Sequence, residues 1–386
     1  MKVANIVPPA LLSIQLGLVI ADNYVAIPAH YAYSFPGGYT STLDDGFVDT
    51  ENVSSELASL LSSASKAAFI AYDKEFASIV GPNPTLSLLA GPLDRHFANE
   101  AAVYVKTTNS VWFTGVAPDG HTRQVMTINL TDNTISRAPN DRNIVEPVGG
   151  RYHDGKVYLT YFGNRNVAGG VLAVDAVTGK TETVVNSYFG LRLNGPDDVV
   201  WAQRGDRRAM FFTDVDFASL LNVTGPPKLP NAVWRFEEQT QTLRPVISQA
   251  DIPDPNGVAI NRESTKLYVT DTPVSYLRSK GLSQGTGSPA IYVYDLKEDL
   301  VPVNKRLFGV ARAGVPDGIK VDMLGRVWTA EGEGIVVRSD TGKVLGVFNA
   351  KVLLENETQT IANFALTDNR LIILAATRIW SVKLAS

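Results

Sequence analysis

The chain of 386 residues contains no cysteine, which excludes a disulfide framework, a zinc–thiolate site, an iron–sulfur cluster and a cysteine nucleophile. It also lacks any Lys/Arg-rich run, and its formal net charge is −4. There is thus no electrostatic footprint for nucleic acid or an anionic membrane, and the expected partner is a small molecule met by a monomer. Histidines are few, and no Ser-His-Asp triad can be assembled from the motifs; His121 and His153 read as blade residues. Long apolar runs are missing except for Val3 to Ala21. That segment resembles a secretory signal ending in Val19-Ile20-Ala21, yet Pro8-Pro9, Asn5 and Gln15 interrupt it. The alternatives for residues 1–21 are a signal peptide or a short N-terminal helix, with no membrane span expected in the mature protein. Asn-x-Ser/Thr sequons at Asn52, Asn129, Asn222 and Asn356 tilt the expectation toward a glycoprotein of the secretory pathway or extracellular space rather than the cytoplasm.

What the sequence has is repetition. Hydrophobic residues make up 45%, enough for a large core, and 31 glycines and 21 prolines are scattered along the chain, as suits short strands and turns. Six segments share one strand pattern: Ser110-Val-Trp-Phe-Thr-Gly115, Lys156-Val-Tyr-Leu-Thr-Tyr161, Ala209-Met-Phe-Phe-Thr-Asp214, Lys266-Leu-Tyr-Val-Thr-Asp271, Arg326-Val-Trp-Thr-Ala-Glu331 and Arg370-Leu-Ile-Ile-Leu-Ala375. Each follows a short apolar strand across a tight turn and precedes a third strand, and turn-rich residues lead on to a fourth. Four antiparallel strands recurring every 44 to 60 residues predict an all-β, six-bladed β-propeller over residues 85–386. The chain ends after the third strand of its last blade, so Thr85 to Ala90 is expected to supply the fourth and lock the ring. Residues 22–84 form a partly helical N-terminal extension, with a helix predicted from Ser54 to Ala68 capped by Asn52 or Ser54. The loops Asp216 to Pro230 and Pro273 to Ser288 exceed the usual length and are candidates for shaping a substrate pocket.

In such a ring the first strand of each blade lines the central channel, and the residues just before it sit at the mouth. The repeat places Asn99-Glu100, Gly149-Gly150, Asp197-Asp198, Asn256-Gly257, Asp317-Gly318 and Asn363 there. Asp-Gly and Asn-Gly are also ordinary turn formers. Four blades together, one carrying Glu100, which has no turn preference, favour a cation held by Glu100, Asp197, Asn256 and Asp317. Hard oxygen donors point to calcium or magnesium rather than zinc or copper. The strand pleat turns Asp198 away from the axis if Asp197 faces it, and Asn363 completes a hydrogen-bond network.

Asn194-Gly-Pro-Asp-Asp-Val199, Phe212-Thr-Asp214, Pro255-Asn-Gly-Val-Ala259, Leu267-Tyr-Val-Thr-Asp-Thr272 and Pro316-Asp-Gly-Ile-Lys-Val-Asp322 with Gly325-Arg-Val-Trp328 resemble the gluconolactonase/regucalcin family. With Tyr72-Asp-Lys-Glu-Phe76 and Phe97-Ala-Asn-Glu-Ala101 the resemblance is to its fungal lactonohydrolase branch and runs from about Phe69 to the C-terminus. It implies a six-bladed propeller with one channel calcium and the opening of lactones by water. Glu100, Asn256 and Asp317 match the family's ligands. Asp197-Asp198 stands where the family usually has Asn-Asp, and Asn99-Glu100 where fungal relatives commonly show His-Glu.

For a lactonase, a metal polarises the carbonyl and a carboxylate removes a proton from water. Asp317 is expected as general base and Glu100 as metal holder. Asn256, Asn99 and Asn363 are expected near substrate, with Arg192 or His96 meeting the ring-opened carboxylate. The changed Asn99 and Asp197 and the long loops keep a second enzyme reading open, a secondary-metabolite cyclase such as a hetero-Diels–Alderase, which needs shape and hydrogen-bond donors rather than a nucleophile. A non-catalytic binding propeller is the third.

Overall fold

The computed structural model describes residues 19–20, 23–34, 40–41, 50–51, 55–139, 144–273, 287–356 and 358–385. The expectations for Met1 to Leu18, for the caps Asn52 and Ser54, and for most of the Pro273–Ser288 loop fall outside these residues. Among the described residues, no helix is long and apolar enough to cross a membrane. Asn222 and Asn356 are exposed and Asn129 is half-buried.

Six antiparallel sheets follow one another around a ring, as the repeat predicts. Blade 1 begins with Glu100–Val105, blade 2 with Pro147–His153, blade 3 with Pro196–Arg204, blade 4 with Pro255–Ile260, blade 5 with Ile319–Val321 and blade 6 with Asn363–Leu366. In each, the first strand pairs with the second, the second with the third and the third with the outermost. Blade 6 takes its fourth strand from Leu86–Ala90, which pairs with Arg378–Lys383 through Leu86 and Val382, Leu88 and Trp380, and Ala90 and Ile379. The ring is therefore closed by joining the two ends of its own chain.

The extension joins the ring as well. Phe69–Ala71 adds antiparallel to the outer strand of blade 5, Val344–Asn349, and Tyr24–Ala26 adds in parallel beyond it. The helix spans Ser55–Lys66 and buries Leu57, Leu61 and Ala64, spaced to share one face, against Ile70, Val336 and Val347.

The apolar core lies between blades rather than at the centre. One cluster joins Val200 and Phe211 of blade 3 to Val258 and Val269 of blade 4. Another joins Ala259 and Tyr268 to Ile319 and Val327 of blade 5, and a third packs Trp328 and Ile335 against Phe364 and Ile373 of blade 6. A chain that packs face to face around an axis leaves only its innermost strands to line the channel.

Buried threonines near the end of the second strands fasten successive blades. The Thr114 hydroxyl donates to the Val148 carbonyl (2.9 Å), that of Thr213 to Asn256 (2.6 Å) and that of Thr270 to Asp317 (3.0 Å), while Thr160 donates to Asp197. The same oxygens of Thr160, Thr213 and Thr270 accept from Gly149, Asp198 and Gly257 amides of their own blade. Close contact explains the glycines next to the donor level. A Cβ on Gly149 would stand 2.1 Å from the Asp197 carbonyl oxygen, and one on Gly257 2.3 Å from that of Asp317. Gly257 follows Asn256 because the neighbouring blade passes there, not to form a turn. Thr213→Val keeps the shape but leaves the Asp198 amide and the Asn256 carbonyl unsatisfied. It is expected to lower unfolding free energy by about 2–4 kcal/mol, measured by denaturant titration, whereas a surface threonine change shifts it by about 0.5 kcal/mol or less.

Candidate functional site

Strand register brings the candidate ligands to one repeat position. Val103, Arg151, Val200, Ala259, Lys320 and Ala365 pair with Trp112, Tyr158, Phe211, Tyr268, Trp328 and Ile372. Three residues earlier stand Glu100, Val148, Asp197, Asn256, Asp317 and Ala362. Four blades thus present an oxygen donor at the same level of the channel. Three of the four donors, Asp197, Asn256 and Asp317, are the residues whose carbonyls receive the threonine hydroxyls. In blade 1 the chain bends sharply after Glu100, with φ of 68° at Ala101 and 53° at Ala102. Two successive left-handed alanines cost of order 1–3 kcal/mol each and set the direction of the Glu100 side chain.

The donors act on one another. Asp197 and Asn256 are buried, and Glu100 and Asp317 half-buried. Burial pushes the Glu100 carboxyl up to about 7, opposed by the Asn363 amide and Arg123 and reinforced by Asp198. Asp197 and Asp317 are raised well above the usual carboxylate range, first by burial and then by the charge of Glu100. The Asn256 side chain hydrogen-bonds Asp317 and works the other way. Asn363 donates to Glu100 Oε2 at 3.3 Å and accepts from the Phe364 amide, which is the network expected of it. Asp198 takes the same strand-capping role in blade 3. Its two oxygens accept from Val199 (2.8 Å) and Val258 (3.2 Å), so it binds the inner strands rather than joining the donor level.

Three carboxylates and an amide oxygen, without sulfur or imidazole, are the donor chemistry of a hard cation, and the charge of Glu100 makes Asp197 and Asp317 harder to ionise. Among the described residues no three His, Cys, Asp or Glu side chains form a metal-ligating group by themselves. An ion placed here would have to draw on the Asn256 amide and on oxygens from water or substrate.

Arg192 is engaged elsewhere. Its guanidinium donates to the carbonyls of Asn164, Arg165 (3.2 Å) and Val167 (2.7 Å), clamping two surface loops, so it does not reach the cup as expected. His96 is exposed, and its carbonyl accepts from Val116. Asn99 is half-buried beside Glu100 and makes a backbone bond to Thr114. The loop after Asp214 carries a short helix, Phe217–Leu220, whose Ala218 packs on Val148 and Phe162. It therefore lies over the start of the blade 2 inner strand, at the mouth.

Sequence reasoning passed over three cations. Arg123, Arg151 and Lys320 all interact electrostatically with the acidic groups. The signal for two of them was present. At the register position of Arg151 and Lys320 the other four blades carry Val103, Val200, Ala259 and Ala365.

A second set of acids has a structural task. Buried Asp214 accepts from the amides of Gly195 (2.7 Å) and Asn194 (3.1 Å), and Asp271 from those of Asp254 (3.1 Å) and Ser288 (3.3 Å), fixing loops at the mouth. Burial pushes Asp214 up to about 7 and Asp271 to about 6. A carboxyl raised in the folded state stabilises the fold below its unfolded pKa of about 3.9 and loses that contribution as pH rises through the folded value. Asp214→Asn is therefore expected to flatten the fall in melting temperature between pH 5 and pH 7.5, its stability relative to wild type growing across that window. A constant difference would contradict this assignment.

Residues 98–370 match the family described as SMP-30/Gluconolactonase/LRE-like region. The lactonohydrolase oryL of Aspergillus oryzae is 29% identical over 300 residues, covering 72% of this chain and 66% of that protein, just under two thirds of its length. Among solved structures, a gluconolactonase from Xanthomonas campestris aligns with a TM-score of 0.65 at 22% identity, covering 81% of this chain and 94% of that one. Regucalcin from Agrobacterium tumefaciens, described as a calcium-binding protein, aligns with a TM-score of 0.53 at 14% identity, covering 78% and 94%. At these identities the structural likeness speaks for the fold alone.

Proposed function

The chain belongs to the SMP-30/gluconolactonase/LRE-like family, and on that footing we propose that it opens a small or natural-product lactone with water at the channel cup, using a divalent cation, calcium first. The observation that carries this reading is the convergence of Glu100, Asp197, Asn256 and Asp317 at one register level, with carboxyls that burial and mutual charge hold above their usual range. The hydrolase names of the relatives support it, as does the calcium-binding description of the regucalcin neighbour.

When bound, a hard dication supplies Lewis-acid polarisation of the lactone carbonyl. Glu100, Asn256 and Asp317 would hold it, with Asp197 as fourth donor. Asp317 takes the proton of the attacking water, a role suited to a carboxyl that burial and the neighbouring Glu100 and Asp197 make a stronger base than an ordinary carboxylate. Asn363 fixes the Glu100 carboxylate through its amide. The Phe217–Leu220 segment packs through Ala218 on Val148, at the start of the blade 2 inner strand. Asp197 in place of the family's asparagine adds a negative charge to the donor set, which strengthens cation binding. No observation in the site favours cyclisation over hydrolysis.

The test is metal analysis of the purified protein with a panel of γ- and δ-lactones, with and without chelator. One equivalent of calcium, chelator-sensitive turnover and a fall of about 10²–10⁴-fold in kcat for Asp317→Asn are expected. Turnover indifferent to both chelation and Asp317→Asn would end this reading.

A further inference from the structure

Lys320 is 6% exposed, yet its ammonium makes no hydrogen bond or ion pair with any described residue and is not sealed from solvent. Arg151, half-buried on the inner strand of blade 2, is likewise without a hydrogen-bond or ion-pair partner. The two occupy the same register position, opposite Trp328 and Tyr158. Blades 2 and 5 stand three apart in a ring of six and so face each other across the channel. The two cations are near enough to repel, an effect felt at Lys320. The acid that acts most strongly on both is Asp198, but its oxygens are occupied by the Val199 and Val258 amides. Burying a charge without a partner is costly, and a protein that keeps buried Lys320 and half-buried Arg151 unpaired and within electrostatic reach of one another leaves room for a missing partner.

We propose that Lys320 and Arg151 form an anion subsite beneath the cup and that it receives a carboxylate carried by the substrate, which makes the preferred substrates carboxyl-bearing lactones. This rests on the proposed cation, because without it Glu100, Asp197, Asp198 and Asp317 outnumber Lys320, Arg151 and Arg123. With the dication in place the balance reverses by two charges, and one further anion neutralises the channel. The subsite starts three residues along each inner strand from the donor level, roughly 10 Å of extended chain, and Glu100 and Asp317 of the cup act electrostatically on Lys320. A lysine contributes a point charge and an arginine a planar fork, a pairing suited to a carboxylate approached from two sides. In the reaction the water oxygen bonds to the acyl carbon, the ring C–O bond breaks, and the water proton passes through Asp317 to the released alkoxide. The resident carboxylate does not react.

The experiment compares 5-oxo-oxolane-2-carboxylate with its neutral carboxamide. Wild type is expected to favour the carboxylate at least tenfold in kcat/KM. Lys320→Gln and Arg151→Gln should each reduce that ratio at least tenfold, and Lys320→Arg should restore it to within threefold of wild type. Calorimetry with 2-hydroxyglutarate, the ring-opened product, in the presence of calcium reads the subsite without turnover, and Lys320→Gln should weaken its Kd at least tenfold. Equal use of both lactones by wild type, or a ratio unmoved in both glutamine variants, overturns the subsite while leaving hydrolysis intact. Lys320-dependent binding of 2-hydroxyglutarate with neither lactone opened upholds the subsite and overturns the hydrolytic reading.

Discussion

The structure hangs on a hydroxyl. Thr160, Thr213 and Thr270 each accept an amide from their own inner strand and donate to the carbonyl of a donor-level residue in the next blade. Those carbonyls belong to Asp197, Asn256 and Asp317. The bond that fixes one blade against the next therefore also fixes the height of a cup residue. The site is built on strand positions rather than loops, and its precision is inherited from inter-blade packing. Blade 5 departs from the pattern, since Thr329 turns to Glu331 and the buried Arg338, and the link to blade 6 passes through the Gly318 amide and the Ala362 carbonyl.

Holding carboxylates this rigidly has an energetic consequence. Glu100, Asp197 and Asp317 cannot move apart, so burial and repulsion raise their pKa values instead. The fold supplies partial relief through the Asn363 amide, the Asn256 side chain and Arg123, all short of full neutralisation. The left-handed alanines behind Glu100 are a further cost carried at the same place. Strain, unpaired Lys320 and crowded acids lie together on the inner strands, as expected where binding rather than stability has shaped the residues.

Most of the ring was legible because a blade is a local object. Hairpin strands of period two, separated by Asp154-Gly155 and similar turns, declare themselves without reference to the rest of the chain. Even the closing strand could be assigned, since a last blade ending at its third strand leaves one edge unpaired. Two strands of the extension were not legible: Phe69–Ala71 and Tyr24–Ala26 are too short to carry a pattern, and only the exposed edge of blade 5 makes strands of them. Glu100, Asp197, Asn256 and Asp317 could be aligned by repeat position. Lys320 and Arg151 were missed because a lone charge in a strand reads as a solvent-facing residue until ring closure turns that face inward. Arg192 was misread for the converse reason, as its clamp on Asn164 and Val167 depends on two loops meeting in space.

The central claim is that the stapled cup is a cation site completed by Asn256. Anomalous diffraction from crystals soaked in terbium, a calcium mimic, tests it directly. The account predicts one strong channel peak with Glu100, Asn256 and Asp317 oxygens at about 2.3–2.6 Å, the Asn256–Asp317 hydrogen bond replaced by two bonds to the ion. A channel without a peak, with Asn256 still bonded to Asp317, would contradict it.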